Sequence, residues 1–154
     1  MHKKLIQLAA NKVGKNEHID YMDICEDALF LEESDWGGDE ENYEETFDYI
    51  KMEFEDVATV NKRKRTITFK DRETIKEMWK EHIKTTCKNA IKKIDEGQNC
   101  NAEYMLRKDM NEPFGMGGIY YFDYCRKASS LIADYLAGYI PQTVHIGAIL
   151  DYHC

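Results

Sequence analysis

The feature that most constrains the fold is an amphipathic stretch over residues 72–95. Asp71 stands before it as a helix N-cap, and Gly97 follows it as a residue that ends helices. Eight apolar residues recur at the spacing of one helix face: Ile75, Met78, Trp79, Ile83, Cys87, Ala90, Ile91 and Ile94. This spacing predicts one long helix with the whole row, Trp79 included, packed inward. The rest of the chain must then supply an apolar surface that covers the row.

Shorter apolar patterns predict three further helices, and Asn101 is a candidate cap for a short fourth one through Met110. The first covers residues 3–13, and the second covers residues 18–33, where apolar residues recur at spacings of two to four. The third covers about residues 120–138. It is expected to end at Gly138 and Pro141, because a left-handed glycine and a proline both stop a helix.

Two segments alternate between apolar and polar residues in the manner of half-buried strands. Residues 48–60 are expected to pair with residues 65–70 across the basic turn NKRK, and the apolar run 143–150 predicts a buried C-terminal strand. The sequence thus predicts an α+β fold in a single domain of residues 1–154. Its sheet is expected to be small and mostly antiparallel, made of the hairpin 48–70 and the C-terminal strand, and packed with amphipathic helices.

Acidic residues are concentrated in one part of the chain. Residues 34–48 read SDWGGDEENYEETFD, in which seven of fifteen residues are carboxylates and none is Lys or Arg. Residues 17–56 carry seventeen acidic residues against the single cation Lys51, a net charge of −16, whereas the whole chain carries −8. Such an uneven distribution indicates an electrostatic partner, because it exceeds the charge that solubility needs.

Nucleic-acid mimicry is the leading functional hypothesis. Proteins that bind DNA or RNA gain affinity by neutralising phosphates with Lys and Arg, and a surface dense in carboxylates can occupy the same cleft. Three aspartates share one face of the predicted helix 18–33, and aromatic residues are interleaved with the later acids. The candidate partner-binding residues are Asp20, Asp23, Asp27, Trp36, Asp39, Glu40, Glu41, Tyr43, Glu44, Glu45 and Phe47.

This hypothesis describes a small acidic interaction or inhibitor protein rather than an enzyme. Its expected partner is a cationic protein, such as an enzyme that handles nucleic acids in a host cell. An accessory protein of a phage or another mobile element would fit this profile. The basic run NKRKR (61–65) is interpreted as a hairpin tip held in water, since a net charge of −8 disfavours direct nucleic-acid binding.

The alternative is a small Mg²⁺-dependent hydrolase that processes nucleotides. Glu40, Glu41 and Glu44, followed by Glu53 and Asp56, resemble the EExxE…ExxD pattern of all-α nucleotide pyrophosphohydrolases. The resemblance implies that helices hold these carboxylates around Mg²⁺. The expected strand would instead send Glu53 and Asp56 to opposite faces. The two hypotheses differ in geometry, because an enzyme needs carboxylates that converge in one pocket, whereas a mimic spreads them over an outer surface.

A plain solvated loop is the third interpretation of the acidic segment, and the sequence leaves it open. Other kinds of site lack their motifs, since no Cys or His cluster has zinc spacing and no phosphate-binding glycine motif is present. We therefore expect no cofactor and no metal. The five cysteines are odd in number and lack a CxxC pair, and no apolar run is long enough to span a membrane. These features predict a cytoplasmic protein without a membrane partner, and they leave the oligomeric state open.

Overall fold

The structure is a computed structural model that describes residues 2–20, 36–39, 43–111, 114 and 118–153. Within these residues, seven strands form one sheet: β1 (His2–Ala9), β2 (Trp36–Asp39), β3 (Ala58–Asn61), β4 (Thr66–Phe69), β5 (Ile119–Phe122), β6 (Tyr124–Lys127) and β7 (Thr143–His153). The described part also contains four α-helices: α1 (Tyr43–Phe54), α2 (Arg72–Asp95), α3 (Asn99–Asn111) and α4 (Ala128–Ala137). The α+β class expected from the sequence is therefore confirmed.

The sheet is mixed, which corrects the expectation of a mostly antiparallel one. Its strands lie in the order β3-β4-β7-β1-β5-β6, and β2 pairs with the C-terminal half of β7. β1 runs parallel to β5 and antiparallel to β7. The sequence pattern predicts a helix where β1 lies. The expected sheet therefore lacks the parallel pair of β1 and β5. Partners so far apart in the chain leave no local signal of their pairing.

β1 replaces the helix expected over residues 3–13. Leu5 and Ile6 are adjacent in sequence and both fully buried, one in each of the two apolar clusters that flank the sheet. A strand that is covered on both faces shows an uninterrupted apolar run, and over so few residues periodicity does not separate it from a buried helix. Residues 2–9 form a strand because β5 and β7 lie on either side of them, which is a tertiary constraint.

α1 replaces residues 48–54 of the strand that was expected over residues 48–60. Phe47, Ile50 and Phe54 are buried at helical spacing. Met52, which completes the apparent alternation in the sequence, is 64% exposed on the outer side of the helix. The second half of the hairpin prediction is confirmed in shorter form, as β3 and β4 joined by a turn over residues 62–65.

The helix expected over residues 120–138 begins later than the sequence indicates. Residues 119–127 form a tight hairpin of β5 and β6, with Asp123 between the strands at a φ of 63°. The aromatic run at its start favours a strand, although the spacing of its tyrosines also imitates a helix face. α4 ends where the sequence predicts, at Gly138, which adopts a φ of 89°.

α2 has the bounds that the sequence predicts. Asp71 accepts a hydrogen bond from the backbone N–H of Thr74 at 2.9 Å, and so satisfies a free donor of the first turn. Gly97 follows the last turn with a φ of 75°, a conformation that glycine adopts without strain. Both helix ends are encoded by neighbouring residues, which is why the sequence locates them.

The inward row expected on α2 is only half correct. Ile75 and Ala90 are buried, and Met78 and Trp79 pack partly buried against the core. The other four residues of the row are exposed: Ile83, Cys87, Ile91 and Ile94. Residues at spacings of three and four drift around a helix, so a row of eight is wider than one buried face. A second apolar edge of α2 therefore faces solvent.

Helices α1, α2 and α4 contribute to the main core on one face of the sheet. The Phe54 ring of α1 lies edge-on to Tyr120 of β5, with ring centroids 5.2 Å apart, and edge-on to Phe69 of β4 at 5.9 Å. The opposite face of the sheet carries a smaller cluster around Leu5 and Leu150. These contacts hold α1, and the acidic residues on it, at a defined place on the sheet.

A buried glutamine joins β1 and β7 where their register shifts. Gly147 and Ala148 of β7 both lie opposite Gln7, so the backbone pairing is interrupted there. The Gln7 Oε1 accepts hydrogen bonds from the N–H groups of Ala148 at 2.9 Å and Ile19 at 3.3 Å, and its Nε2 donates to the carbonyl of Glu17 at 3.0 Å. Gly147 leaves room for this amide, because a Cβ there would collide with it.

Replacing Gln7 with Leu should lower the free energy of unfolding by about 1–3 kcal/mol, because the buried N–H of Ala148 loses its acceptor. Urea unfolding followed by tryptophan fluorescence measures the change. Gln142→Leu is the control, since Gln142 is exposed and water can replace its bond; it should change stability by less than about 0.5 kcal/mol. Equal losses in the two variants would contradict the role assigned to Gln7.

Candidate functional site

The outer side of α1 and the turn after it form an exposed acidic surface. Its members are Glu45, Asp48, Tyr49, Met52, Glu55 and Asp56, and together they are called the acidic face. Met52 is 64% exposed and Tyr49 is 38% exposed. Two side chains with apolar surface therefore lie among four carboxylates, an arrangement that offers a partner both charge and contact area.

The charge of α1 is only slightly compensated by its own residues. The helix carries four acidic residues and one cation, Lys51. Lys62, in the turn between β3 and β4, forms an ion pair with Glu44 at the edge of the acidic face. Both of these side chains are well exposed, so the pair contributes little to stability. The four carboxylates of the acidic face carry charge of one sign, and salt screens the field of exposed charges over about 8–10 Å under physiological conditions.

Phe47 is not available to a partner, which corrects its assignment as a partner-binding residue. Its side chain is 4% exposed and belongs to the main core. The Arg65 guanidinium covers its ring, 5.7 Å from the centroid, and donates to the carbonyls of Ile146 at 3.2 Å and Gly147 at 2.5 Å. An aromatic residue in an acidic stretch resembles an exposed anchor in sequence, but the helical phase of α1 turns this one inward.

The other predicted partner-binding residues fall into three groups. Three are exposed: Asp20, Glu44 and Glu45. Three are at the ends of elements: Trp36 and Asp39 are the first and last residues of β2, and Tyr43 is the first residue of α1. Four lie outside the described residues: Asp23, Asp27, Glu40 and Glu41. The helix expected over residues 18–33 also lies outside them, apart from residues 18–20, which are not helical.

Glu53 differs from the carboxylates of the acidic face because it fastens α1 to the sheet. Its Oε1 accepts a hydrogen bond from the N–H of Gly118 at 2.5 Å, and its Oε2 accepts one from the hydroxyl of Tyr120. The Tyr49 hydroxyl lies 3.4 Å from Oε1. A Cβ at Gly118 would collide with the Glu53 carboxylate, so a larger residue at position 118 would push this carboxylate away from its partners. The sequence pattern misses this anchor, because its partners lie far away in the chain.

Glu53 also affects the ionisation of the two tyrosines that it contacts. Burial of the Tyr49 hydroxyl, followed by the charge and hydrogen bond of Glu53, raises the pKa of Tyr49 to about 12. Burial and the same carboxylate raise the pKa of Tyr120 well above its usual value. Both phenols therefore remain neutral near Glu53 at physiological pH, and Tyr120 remains a donor to it.

The carboxylates of α1 do not converge on one metal. Glu44 and Glu53 are nine residues apart, which on an α-helix places them about 13.5 Å apart along the axis and on opposite sides. A helix is present here, as the resemblance to pyrophosphohydrolases implies, but Glu44 pairs with Lys62 and Glu53 binds Tyr120. No group of three or more His, Cys, Asp or Glu among the described residues is placed to hold a metal ion.

A cluster of polar side chains that the sequence did not reveal links α2 to α3. Thr86 donates a hydrogen bond to Asp109 at 2.5 Å, and the Nε2 of His82 lies 3.8 Å from the same carboxylate. A catalytic triad needs the hydroxyl to face the imidazole, which then acts as its base. Here the hydroxyl faces the carboxylate directly, so the cluster joins two helices and does not activate a nucleophile.

A groove of about 730 Å³ lies beside β6 and α4, with Arg126 and Asp134 among its lining residues. Arg126 forms an ion pair with Asp134, donates to the carbonyl of Phe122 at 2.7 Å and stacks 3.9 Å over the Tyr124 ring. All of these contacts of the guanidinium are intramolecular. Arg126 therefore fastens the β5–β6 hairpin to α4, and these contacts do not present it to a ligand.

Comparison with protein-family models, with curated proteins and with solved structures found no match to this chain. In the described ranges, no helix is long and apolar enough to cross a membrane. Function must therefore be inferred from the chemistry and the placement of the side chains, and the acidic face is the surface whose composition the fold does not explain.

Replacing Glu53 with Ala should lower the free energy of unfolding by roughly 2–4 kcal/mol, because the Tyr120 hydroxyl and the Gly118 N–H both lose their acceptor. Glu55→Ala is the matched control: this carboxylate is two residues away and exposed, and its loss should cost less than about 0.5 kcal/mol. Urea unfolding compares the two. A Glu53 variant as stable as the Glu55 variant would show that this carboxylate does not anchor α1.

Alkaline pH should destabilise the fold through Tyr49 and Tyr120. Their folded-state pKa values lie above that of an unfolded tyrosine, 10.0, so the folded chain keeps protons that the unfolded chain releases. This stability is complete below about pH 10 and is lost as pH rises through the folded pKa, about 12 for Tyr49. Urea midpoints measured between these pH values should decline less steeply in Tyr49→Phe and Tyr120→Phe. An unchanged slope in the double variant would contradict the assignment.

Proposed function

We propose that this protein binds a cationic partner protein through the acidic face and performs no chemistry of its own. One observation carries the proposal: Asp48, Glu55 and Asp56 are exposed along the outer side of α1 and the turn after it, whereas the fold itself uses Glu53. Exposed carboxylates spread along one side of a helix suit a surface that meets extended positive charge. They do not suit Mg²⁺ or Ca²⁺, which need several oxygen ligands around one point.

The proposed partner is a protein whose own site handles nucleic acid. Such sites carry rows of Lys and Arg that neutralise phosphates spaced about 3.4 Å along each strand. Glu45 and Asp48 are three residues apart, about 4.5 Å of helix rise, so this pair of charges has a spacing similar to that of the phosphates. A protein that occupies such a cleft inhibits its owner, and an inhibitor carried by a phage or another mobile element would act in this way.

Met52 and Tyr49 take the place of Phe47 as the expected apolar anchors. Met and Tyr are enriched in the centres of protein interfaces, whereas charges mainly govern the rate of encounter and the choice of partner. Both residues lie among the carboxylates and are exposed in the free protein. Charge would therefore bring the partner to α1, and these two side chains would keep it there.

Binding kinetics against a panel of purified cationic nucleic-acid-binding proteins test this proposal. The test variant neutralises the four carboxylates of the acidic face: Glu45→Gln, Asp48→Asn, Glu55→Gln and Asp56→Asn. The matched control removes four charges elsewhere: Glu73→Gln, Glu77→Gln, Glu81→Gln and Glu103→Gln. At low salt, the test variant should associate about tenfold more slowly than wild type with a panel member that duplex DNA displaces, and the control should not. Met52→Ala should chiefly speed dissociation.

Two outcomes would contradict the proposal. If the neutralised variant associates at the wild-type rate at every salt concentration, the acidic face is only a solvated surface. If the protein instead releases pyrophosphate from nucleotides in a Mg²⁺-dependent reaction that Glu41→Gln or Glu44→Gln abolishes, the hydrolase hypothesis is correct. The first outcome is measured as an association rate and the second as nucleotide turnover, so the two measurements distinguish a solvated surface from a hydrolase.

A further inference from the structure

The exposed apolar edge of α2 lies outside the two apolar clusters of the described residues. It consists of Ile83, Cys87, Ile91 and Ile94, called the α2 stripe, and spacings of four, four and three residues keep them on one side of the helix. The three isoleucines are 51%, 60% and 52% exposed. Single exposed apolar residues are ordinary, but a row along three helical turns is typical of a surface that meets another protein.

Lysines border the α2 stripe, and no acidic residue lies among them. Between His82 and Ile94 the chain contains four cations: Lys84, Lys88, Lys92 and Lys93. By helical periodicity, Lys84 and Lys88 follow the stripe on its solvent side. At the two ends of the stripe, Glu81 pairs with Lys84 and Glu96 lies 3.5 Å from Lys93, whereas Lys88 has no acidic residue within four positions of the chain. A carboxylate beside Lys88 would balance its charge, so an occupant that is acidic as well as apolar suits this surface.

The acidic face has the complementary composition. It carries Glu45, Asp48 and Asp56 around Met52 and Tyr49, and it extends over about three helical turns, as the α2 stripe does. Both surfaces are exposed within one molecule, so neither covers the other. Two molecules can bring them together, with apolar residues against apolar residues and carboxylates against lysines.

We infer that a second copy of this chain docks its acidic face on the α2 stripe, so that α1 of one molecule packs along α2 of the other. Pairing two α2 stripes would instead place Lys84 and Lys88 of both copies opposite one another, and like charges across a contact cost free energy. The contact involves about three turns of one helix in each copy. It is therefore a small interface, whose association is weak and depends on concentration and on salt.

This inference rests on the proposed function in one respect, because the surface that self-association covers is the one that a cationic partner would use. Copies of the chain compete with the partner for the acidic face. A partner cleft with more positive charge than the α2 stripe displaces the neighbouring copy, whereas a weakly basic surface does not. Self-association thus restricts the protein to strongly cationic partners.

Sedimentation velocity of two charge-reversed variants tests the contact. Glu45→Lys/Asp48→Lys makes the acidic face basic, and Lys84→Glu/Lys88→Glu makes the border of the α2 stripe acidic. Wild type should sediment faster as its concentration rises, and added salt should weaken this effect. Each variant alone should associate about tenfold more weakly or not at all, because its two surfaces then carry the same sign. Mixing the variants, or combining all four substitutions in one chain, should restore association.

A matched control and three outcomes make the test decisive. Glu77→Lys/Glu103→Lys reverses two charges outside both surfaces and should associate like wild type, and circular dichroism shows that every variant is folded. A wild type that stays monomeric at all concentrations overturns the inference. A Glu45→Lys/Asp48→Lys variant that associates like wild type also overturns it, because that result indicates pairing of two α2 stripes. A mixture of the two folded charge-reversed variants that stays monomeric overturns it as well.

The two proposals fail separately. The Lys84→Glu/Lys88→Glu variant keeps the acidic face, so it should bind a cationic panel protein at least as tightly as wild type. If wild type is monomeric, and if wild type and the Lys84→Glu/Lys88→Glu variant bind the cationic panel proteins equally, only self-association is excluded. If wild type associates with itself but no panel protein binds either form, only the proposed function is excluded.

Discussion

The pairing of β1 with β5 on one side and β7 on the other is the contact on which the rest of the structure depends. It joins the start of the described chain to its end and builds a sheet face that includes Ile6 and Tyr120. Phe54 of α1 packs on this face, and Phe47 and Ile50 belong to the same core. With these three residues inward, the opposite side of the helix must face solvent. Apolar contacts, together with the hydrogen bonds of Glu53 to Gly118 and Tyr120, therefore orient the acidic face.

Sequence patterns predicted the elements whose own residues decide their structure. α2 is one of these, because its cap, its period and its glycine stop all lie in or next to the helix. β1 and α1 are decided by their neighbours: β1 is a strand because β5 and β7 pair with both of its edges, and α1 is a helix because three apolar residues at helical spacing meet the sheet. Within a few residues, helical and strand periods both fit such segments, so the sequence could not choose between them.

The same limit explains how much of the candidate site could be predicted. Composition alone indicates that Glu44 and Glu45 are exposed, and the structure places them so. It does not indicate which carboxylate turns inward, since the hydrogen-bond partners of Glu53 at Gly118 and Tyr120 are 65 and 67 residues away in the chain. Nor does it indicate that Phe47 faces the core, because that depends on the phase of a helix that the local alternation conceals.

The distribution of charge on α2 gives the strongest reason to treat its stripe as a surface for an acidic partner. Along its first half, ion pairs at three-residue spacing balance the lysines: Lys76 with Glu73, Lys80 with Glu77, and Lys84 with Glu81. After Glu81 the next acidic residue of the helix is Asp95, and the half-exposed isoleucines lie in this interval. Just past this interval, Glu96 lies 4.0 Å from Lys92 and 3.5 Å from Lys93, whereas Lys88 has no acidic residue within four positions of the chain. An acidic, partly apolar helix face would cover the isoleucines and bring a carboxylate to Lys88, and α1 of another copy presents such a face.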